Sequence, residues 1–242
     1  MDMVQLENRE EWLNFALNDV TNAILSALNN GYQPVISLAG GQTPKPLYKA
    51  IAKKLDKMVL GRPVLFIVGD ERAKPSSAAE LNMTMIKESF EPVIKKGIVE
   101  LHGWNIQAGP EASIEEMADI IRSLAKARDL AKLEHFFDAC ILGLGKDCHT
   151  AGLFSCAPYS DIKSCAYWAS AGSEEIAVKS IAPEQPAKRL SLSAGLLASS
   201  AKSIFFLQKK GKEEAIARLL RQDPACPAVL AAGKNCIAYV LA

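Results

Sequence analysis

The chain has 242 residues, 49% of them hydrophobic, which is enough to bury a large core. Lys and Arg total 28 and Asp and Glu total 27, so the net charge is near zero and the electrostatic signature of nucleic-acid or membrane-surface binding is missing. We therefore expect no nucleic-acid and no membrane partner. No apolar run reaches the roughly 18 residues of a membrane helix. The acidic first residues do not resemble a signal peptide, so the expected location is the cytoplasm.

Segments with apolar residues at every third or fourth position alternate with short apolar runs. In chain order, helices are predicted over 8–29, 46–57, 77–90, 112–132, 194–201 and 211–221. Strands are predicted over 34–40, 63–69, 98–102, 137–145, 164–169, 188–193, 202–208 and 236–241. No linker rich in Gly, Ser or Pro interrupts the alternation. The pattern predicts one Rossmann-like α/β domain over residues 1–242, with a mostly parallel central sheet and helices on both faces.

Three of the predicted strands end in polar loops that contain glycine. These loops read AGGQTPKP from Ala39, GDERAKPSS from Gly69 and GLGKDCHT from Gly143. In a parallel sheet they would meet at the carboxyl edge, where ligands bind in folds of this kind. The sequence therefore predicts one site that all three loops share.

The first two loops carry groups that suit an anion. Gly40 and Gly41 allow the backbone to approach a ligand, and Thr43 adds a hydroxyl in front of a predicted helix, which fits either a phosphate cradle or an ordinary tight turn. Arg72 in the second loop is suited to bidentate contact with phosphate or carboxylate. A charged triplet is equally typical of a solvated loop, so the residues alone leave both interpretations open.

The third loop places His149 two residues after Asp147. An imidazole exchanges a proton near neutral pH, and a nearby carboxylate can fix its tautomer and stabilise its charged form. A polar loop histidine is the ordinary alternative, but the position at the predicted ligand edge favours proton transfer. His102 and His135 have no such setting, and we interpret them as structural.

The six cysteines include no Cys-x-x-Cys pair. A chain with this much core has no need of a disulfide framework, so we expect reduced thiols. Cys148 and His149 are neighbours in sequence, which disfavours both a zinc site and a Cys–His nucleophile pair. No metal site is expected.

Taken together, the loops resemble those of the 6-phosphogluconolactonase family. The family pattern has a Gly-Gly-x-Thr-Pro loop, an Asp-Glu-Arg loop with a downstream Asn, and a Gly-x-Gly-x-Asp-x-His-Thr-Ala-x-Leu-Phe loop. The corresponding segments here are GGQTP (40–44), DERAKPSSAAELN (70–82) and GLGKDCHTAGLF (143–154), followed by an Arg-led strand and helix, KRLSLSAGLLASSAKSIFFL (188–207). Four motifs in the family's order are more specific than any one of them.

The resemblance implies an α/β fold similar to that of the glucosamine-6-phosphate deaminases and ribose-5-phosphate isomerases. It implies hydrolysis of 6-phospho-D-glucono-1,5-lactone to 6-phosphogluconate, a step of the oxidative pentose phosphate pathway, without metal or cofactor. The expected partner is this sugar phosphate lactone, and a monomer and a homodimer both stay open.

The resemblance also implies roles for individual residues. By position in the motifs, His149 would be the general base, Asp147 its orienting partner and Asp70 a supporting residue of the active site. In the hydrolysis we expect on this basis, Arg72 or a loop N–H group would stabilise the charge that forms on the carbonyl oxygen. The phosphate and hydroxyl groups of the substrate would contact Gly40, Gly41, Thr43, Arg72 and Arg189.

The chain departs from the family pattern at four positions. Gln42 and Gly152 each stand where Ser is usual, Cys148 replaces Gly, and Ser155 replaces Pro. A glycine at 148 would adopt a positive φ at little cost, which a cysteine could not. The expected consequence is a re-aimed His149 or a slower reaction.

Two other functions are weighed against lactone hydrolysis. A glucosamine-6-phosphate deaminase carries a Glu shortly after its His, whereas residues 150–160 contain no carboxylate, which favours the lactonase. A catalytically silent sensor would bind phosphogluconate without hydrolysing the lactone. Cys148 and Ser155 are compatible with that second alternative.

Overall fold

The computed structural model of the protein describes residues 1–128, 135–154 and 175–242. In these ranges strands alternate with helices, as the apolar periodicity predicted. The strands are β1 (Asp2–Leu6), β2 (Val35–Leu38), β3 (Val64–Val68), β4 (Asp70–Arg72), β5 (Val99–His102), β6 (Ala139–Leu142), β7 (Ala177–Ile181), β8 (Lys188–Leu192), β9 (Ser203–Gln208) and β10 (Cys236–Leu241). The helices are α1 (Arg9–Asn29), α2 (Lys45–Leu55), α3 (Asn82–Lys95), α4 (Pro110–Ala127), α5 (Ala194–Ala198), α6 (Glu213–Leu220) and α7 (Pro227–Ala231).

Seven strands form one sheet in the order β1-β10-β9-β6-β2-β3-β5, and each neighbouring pair is parallel. Every residue of β2, β3 and β6 is buried. Because side chains alternate between the two faces of a sheet, burial of every residue means that both faces are covered. The predicted α/β fold with a mostly parallel central sheet is confirmed.

The sheet reverses its direction of growth between β2 and β6. From β2 it extends through β3 to β5, whereas from β6 it extends through β9 and β10 on the opposite side. Loops that leave the carboxyl ends of strands at such a point diverge and open a crevice. The loops that follow β2 and β6 are two of the three singled out above, so the predicted ligand edge coincides with this crevice.

A second sheet, β4-β8-β7, was not predicted as a separate unit. The predicted strand at 188–193 is present as β8, but it pairs antiparallel with both β4 and β7. β4 is formed by the charged triplet Asp70–Arg72, which the apolar pattern does not mark as a strand. The small sheet brings this triplet and β8 together.

Several predicted boundaries differ from the structure. α3 begins at Asn82 rather than at residue 77, and a 3₁₀ turn occupies Ala78–Glu80. The start of α1 is confirmed, since Asn8 Oδ1 accepts hydrogen bonds from the backbone N–H groups of Glu10 and Glu11. The predicted strand at 164–169 and the predicted helical residues 129–132 lie outside the described residues. None of the helices in the described residues is long and apolar enough to cross a bilayer.

Candidate active site

A cavity of about 630 Å³ opens at the carboxyl edge of the main sheet. Its walls come from the loops after β2, β6 and β7, from β4 and β8, from the start of α3 and from the segment after β9. The eight residues that the sequence pointed to all line it, namely Gly40, Gly41, Thr43, Asp70, Arg72, Asp147, His149 and Arg189. His102 and His135 are not among its lining residues.

His149 and Asp147 form a close pair in the cavity wall. His149 Nδ1 lies 2.5 Å from Asp147 Oδ1, and the backbone N–H of His149 donates to the same oxygen over 3.3 Å. Since the carboxylate engages Nδ1, Nε2 is the ring nitrogen left for a ligand. Burial opposes ionisation of Asp147, but the hydrogen bonds and charge of His149 outweigh it, so the pKa of Asp147 lies below its usual value. The pair thus holds a potential proton acceptor in one orientation.

A tight turn presents this pair. The N–H of Gly145 donates to His149 O over 2.8 Å, and the N–H of Cys148 donates to Gly145 O over 3.1 Å. A Cβ built on Gly145 would overlap the His149 ring and crowd the Asp147 carboxylate. A residue without a side chain at 145 therefore leaves the space that the pair occupies.

Cys148 lies in this turn with a φ of 68°, in the left-handed region that glycine adopts at least cost. Its side chain is fully buried, and the Cys226 thiol lies 3.8 Å from the Cys148 carbonyl oxygen. Cys148 therefore has a backbone conformation that strains a cysteine more than a glycine, as expected for this position. His149 nevertheless lies in the cavity wall beside Asp147.

The strain at Cys148 can be measured with two substitutions. We expect Cys148→Gly to have a free energy of unfolding about 1 kcal/mol larger than that of Cys148→Ala. Both variants lose the sulfur, but only alanine keeps a Cβ in the left-handed region. Equilibrium unfolding in urea compares the two, and an alanine variant as stable as the glycine variant would contradict the strain.

Gly152, another departure from the family pattern, packs tightly against the small sheet. A Cβ on Gly152 would lie 2.9 Å from Ser191 Cβ and 3.2 Å from Arg189 Cβ. Its N–H donates to Ser191 Oγ over 3.1 Å, and its carbonyl accepts a hydrogen bond from Ser180 Oγ. Glycine at 152 therefore lets the loop that carries His149 approach β8 closely.

Two arginines lie side by side across β4 and β8. Arg72 and Arg189 are register partners, and both side chains reach the cavity. Arg72 Nη1 donates to the Glu80 carbonyl oxygen, which fixes one edge of its guanidinium group. Arg72 Nε and Arg189 Nη1 are buried and have no hydrogen-bond partner within the described ranges. Adjacent guanidinium groups with unused donors suit an anionic ligand.

Asp70 offsets part of this positive charge. Its side chain is buried, and burial raises its pKa above the usual value even though Arg72, His149 and Arg189 counteract the shift. Burial, followed by the charge of Arg72, lowers the pKa of Arg189 from its usual value. The charges at this wall are therefore coupled to one another, and an anion would relieve the repulsion between the two arginines.

Phe154 connects the imidazole with one of the arginines. Its ring centroid lies 4.5 Å from that of His149, and the guanidinium carbon of Arg189 lies 5.9 Å from the same ring centroid. An aromatic face attracts a cation at such distances. No role was predicted for Phe154 beyond its place in the motif at 143–154.

The glycine loop after β2 forms another wall. Gly41 has a φ of 85°, which favours glycine, and a Cβ on Gly40 would overlap the side chain of Asn82. Pro44 precedes α2 and makes no side-chain hydrogen bond to its first N–H groups. A glycine loop followed by a helix N-terminus without a side-chain cap is a favourable setting for a phosphate.

Other polar residues of the cavity wall were given no role of their own from the sequence, among them Asn82, Lys146, Glu184 and Lys212. Burial, together with the nearby charge of Lys146, lowers the pKa of Lys212. The signal that could have found Lys212 is its place shortly after β9, at the sheet edge where the other loops meet. Both lysines add to the positive charge around the cavity.

The described cysteines are free thiols, namely Cys140, Cys148, Cys226 and Cys236. Burial raises the pKa of each, to about 12 for Cys226 and to about 11 for Cys236. Thiols with raised pKa values are poor nucleophiles at neutral pH. In the part of the chain that the structure describes, no three His, Cys, Asp or Glu residues are grouped so as to hold a metal ion.

Comparison with known proteins matches residues 7–239 to the family described as glucosamine-6-phosphate isomerases/6-phosphogluconolactonase. A 6-phosphogluconolactonase of Synechocystis is 31% identical over 157 residues, which cover 63% of this chain and 62% of that protein. The human GDH/6PGL endoplasmic bifunctional protein is 25% identical over 85% of this chain and 24% of its own length. The chain thus spans less than two thirds of both relatives. A Thermotoga maritima 6-phosphogluconolactonase is 25% identical, with 93% of this chain and 91% of that protein aligned.

Solved structures agree in fold. The crystal structure of a 6-phosphogluconolactonase from Thermotoga maritima superposes with a TM-score of 0.75 and 21% identity, over 99% of this chain and 98% of that one. A 6-phosphogluconolactonase from Trypanosoma brucei superposes with a TM-score of 0.69 and 22% identity, over 99% and 95%. At these identities the similarity establishes the fold.

Proposed function

Since the chain belongs to the glucosamine-6-phosphate isomerase/6-phosphogluconolactonase family, we propose that it hydrolyses 6-phospho-D-glucono-1,5-lactone to 6-phosphogluconate. One observation carries the proposal: a single cavity is lined by the His149–Asp147 pair and by the two arginines Arg72 and Arg189. The pair supplies a proton acceptor, and the arginines supply charge for a phosphorylated substrate. Relatives in Synechocystis and Thermotoga maritima bear the name 6-phosphogluconolactonase.

In the proposed reaction, Nε2 of neutral His149 takes a proton from a water molecule as its oxygen attacks the lactone carbonyl carbon. The carbonyl π electrons move to the carbonyl oxygen, where Arg72 or a loop N–H group stabilises the negative charge. The carbonyl then re-forms and the bond to the ring oxygen breaks. The imidazolium returns its proton to that oxygen, which becomes a hydroxyl group. The new carboxylic acid ionises in water, so the base is regenerated without a cofactor.

The neighbours of His149 would keep it ready for this step. The short contact with Asp147 fixes the tautomer that leaves Nε2 free, and the carboxylate stabilises the imidazolium that forms. Asp70 would support the site by balancing the charge of Arg72 and Arg189 when no substrate is bound. These roles fit the positions of both carboxylates in the cavity wall, where Asp70 is buried and Asp147 is about one third exposed.

The phosphate of the substrate would bind at the other side of the cavity. The Gly40–Thr43 loop offers backbone N–H groups, and Arg189 and Lys212 offer positive charge. A phosphate held there positions the lactone for attack, since binding energy from a remote group restricts the reacting end. Arg72 is the register partner of Arg189. It would contact either the phosphate or the negatively charged carbonyl oxygen of the intermediate.

We also propose that residues 1–242 act as one domain. Pairing of β1 with β10 supports this, because it joins residues near the two ends of the chain in one sheet. The free thiols among the described cysteines support a reducing compartment such as the cytoplasm. A monomer and a homodimer are both compatible with a cavity that this chain lines by itself.

The test is a direct assay of lactone hydrolysis. Glucose-6-phosphate dehydrogenase generates the lactone in situ, and the appearance of 6-phosphogluconate is followed with and without the protein. We expect the protein to raise the rate well above spontaneous hydrolysis, also in the presence of EDTA, whereas heat-unfolded protein should not. Ammonia release from glucosamine 6-phosphate would instead indicate a deaminase. Calorimetric binding of phosphogluconate without any increase in rate would indicate a sensor.

A further inference from the structure

Glu71 is a buried carboxylate that faces away from the cavity. Its side chain is 1% exposed, and it is absent from the cavity wall although Asp70 and Arg72 on either side of it belong to that wall. This follows from the alternation of side chains along β4. Burying a carboxylate is costly unless hydrogen bonds compensate for the lost water, so its partners indicate what it does.

The partners are three backbone N–H groups. Glu71 Oε1 accepts from Arg72 N and from Asn82 N, each over 2.9 Å, and Oε2 accepts from Met83 N, also over 2.9 Å. Asn82 and Met83 are the first two residues of α3. Leu81, at the usual capping position, makes no side-chain hydrogen bond to the helix. Glu71 therefore caps α3 from a strand eleven residues earlier in the chain.

The residue that this cap holds in place belongs to the cavity wall. Asn82 Nδ2 donates to the Asp70 carbonyl oxygen over 2.8 Å, and the Asn82 side chain lies directly against Gly40. Asn82 is buried, so its backbone has few alternative positions. Through Asn82, one carboxylate joins β4, the start of α3 and the glycine loop after β2.

We propose that Glu71 is a positioning residue of the site, and that it acts through Asn82 to hold the glycine loop and the Asp70 segment in the arrangement that binds substrate. The proposal rests on the proposed function only for the identity of the ligand, 6-phosphogluconate or its lactone. The arrangement itself is a property of the free protein and can be measured without any ligand.

The variant that tests it is Glu71→Gln. Glutamine has nearly the same shape but only one acceptor oxygen, so at least one of the three backbone N–H groups loses its partner in either orientation of the amide. The matched control is Asn8→Ala, which removes the cap of α1, where Asn8 Oδ1 accepts from Glu10 N and Glu11 N. Asn8 is not part of the cavity wall. Both variants lose a helix cap, but only one of them loses a cap beside the site.

Hydrogen–deuterium exchange of the free proteins is the first measurement. In Glu71→Gln we expect faster exchange at the start of α3 and also in the loop 39–44, which Glu71 does not contact. In Asn8→Ala we expect faster exchange only at the start of α1. Wild-type exchange of the loop 39–44 in Glu71→Gln would overturn the proposal whether or not the protein is a lactonase.

Kinetics at a temperature where both variants are folded is the second measurement. We expect Glu71→Gln to raise KM for the lactone about tenfold or more, with a smaller change in kcat, because misplaced binding groups weaken the hold on the substrate. Asn8→Ala should leave both constants unchanged. In an Asn82→Ala background the effect of Glu71→Gln should fall to less than about twofold, since coupled residues are not additive. Full additivity of the two substitutions would overturn the route through Asn82.

The two proposals fail in different ways. A wild-type protein without lactonase activity would contradict the proposed function, and the exchange experiment would still decide the role of Glu71. A lactonase whose Glu71→Gln variant behaves like Asn8→Ala would contradict only the role of Glu71.

Discussion

Replacing His149 with alanine is expected to lower kcat for lactone hydrolysis at least about a hundredfold. Nε2 of His149 is the proposed acceptor of the proton from the attacking water, and alanine leaves the water to attack without a base. The fold should survive, because the imidazole is about one third exposed and its hydrogen bonds are confined to its own loop. Steady-state kinetics with lactone generated in situ measures the change, after subtraction of spontaneous hydrolysis.

The matched control for this variant is His102→Ala. His102 ends β5 and lies outside the cavity wall, so the same substitution there should leave kcat within about twofold of wild type, as is usual for sites without a special role. Thermal unfolding of both variants shows whether either loses stability. A folded His149→Ala protein that keeps wild-type kcat would exclude His149 as the base.

The central sheet could be predicted from the sequence because its strands are buried on both faces. PVISLAG, PVLFIVG and FDACILGLG are nearly continuous apolar runs, and they appear as β2, β3 and β6. Runs of this kind are typical of parallel strands between helices. The loops after them also follow from topology, since parallel strands end at one edge. For that reason the sequence alone predicts His149, Gly40 and Arg72 in one cavity.

The small sheet and the details around it could not be predicted in the same way. β4 is three charged residues long, and a charged triplet has the pattern of a solvated loop until its partner strand is known. α3 begins at Asn82, where Glu71 caps it from another element, whereas the apolar periodicity predicted a start at residue 77. Lys212 lines the cavity because it follows β9, which pairs parallel with β6 and so ends at the same edge of the sheet. Each of these facts depends on contacts between segments that are distant in sequence.

Gly145→Ala tests the geometry of the His149–Asp147 pair while keeping both side chains. An added Cβ would overlap the His149 ring and lie beside the Asp147 carboxylate, so the pair must shift or separate. We expect kcat to fall about tenfold to a hundredfold, since a misplacement of about 1 Å in a catalytic group can cost as much. KM should change much less, because Arg72, Arg189 and the glycine loop lie on other elements and keep their positions.

Gly61→Ala is the control that separates this effect from the general cost of replacing a glycine. Gly61 is exposed, has no neighbour within 4 Å of an added Cβ, and lies outside the cavity wall, so both kinetic constants should stay at wild-type values. A Gly145→Ala protein with wild-type kcat would mean that the imidazole can act from a displaced position, and the orientation by Asp147 would then have no part in catalysis. A large fall in kcat with unchanged KM would show that the position of the ring, and not merely its presence, sets the rate.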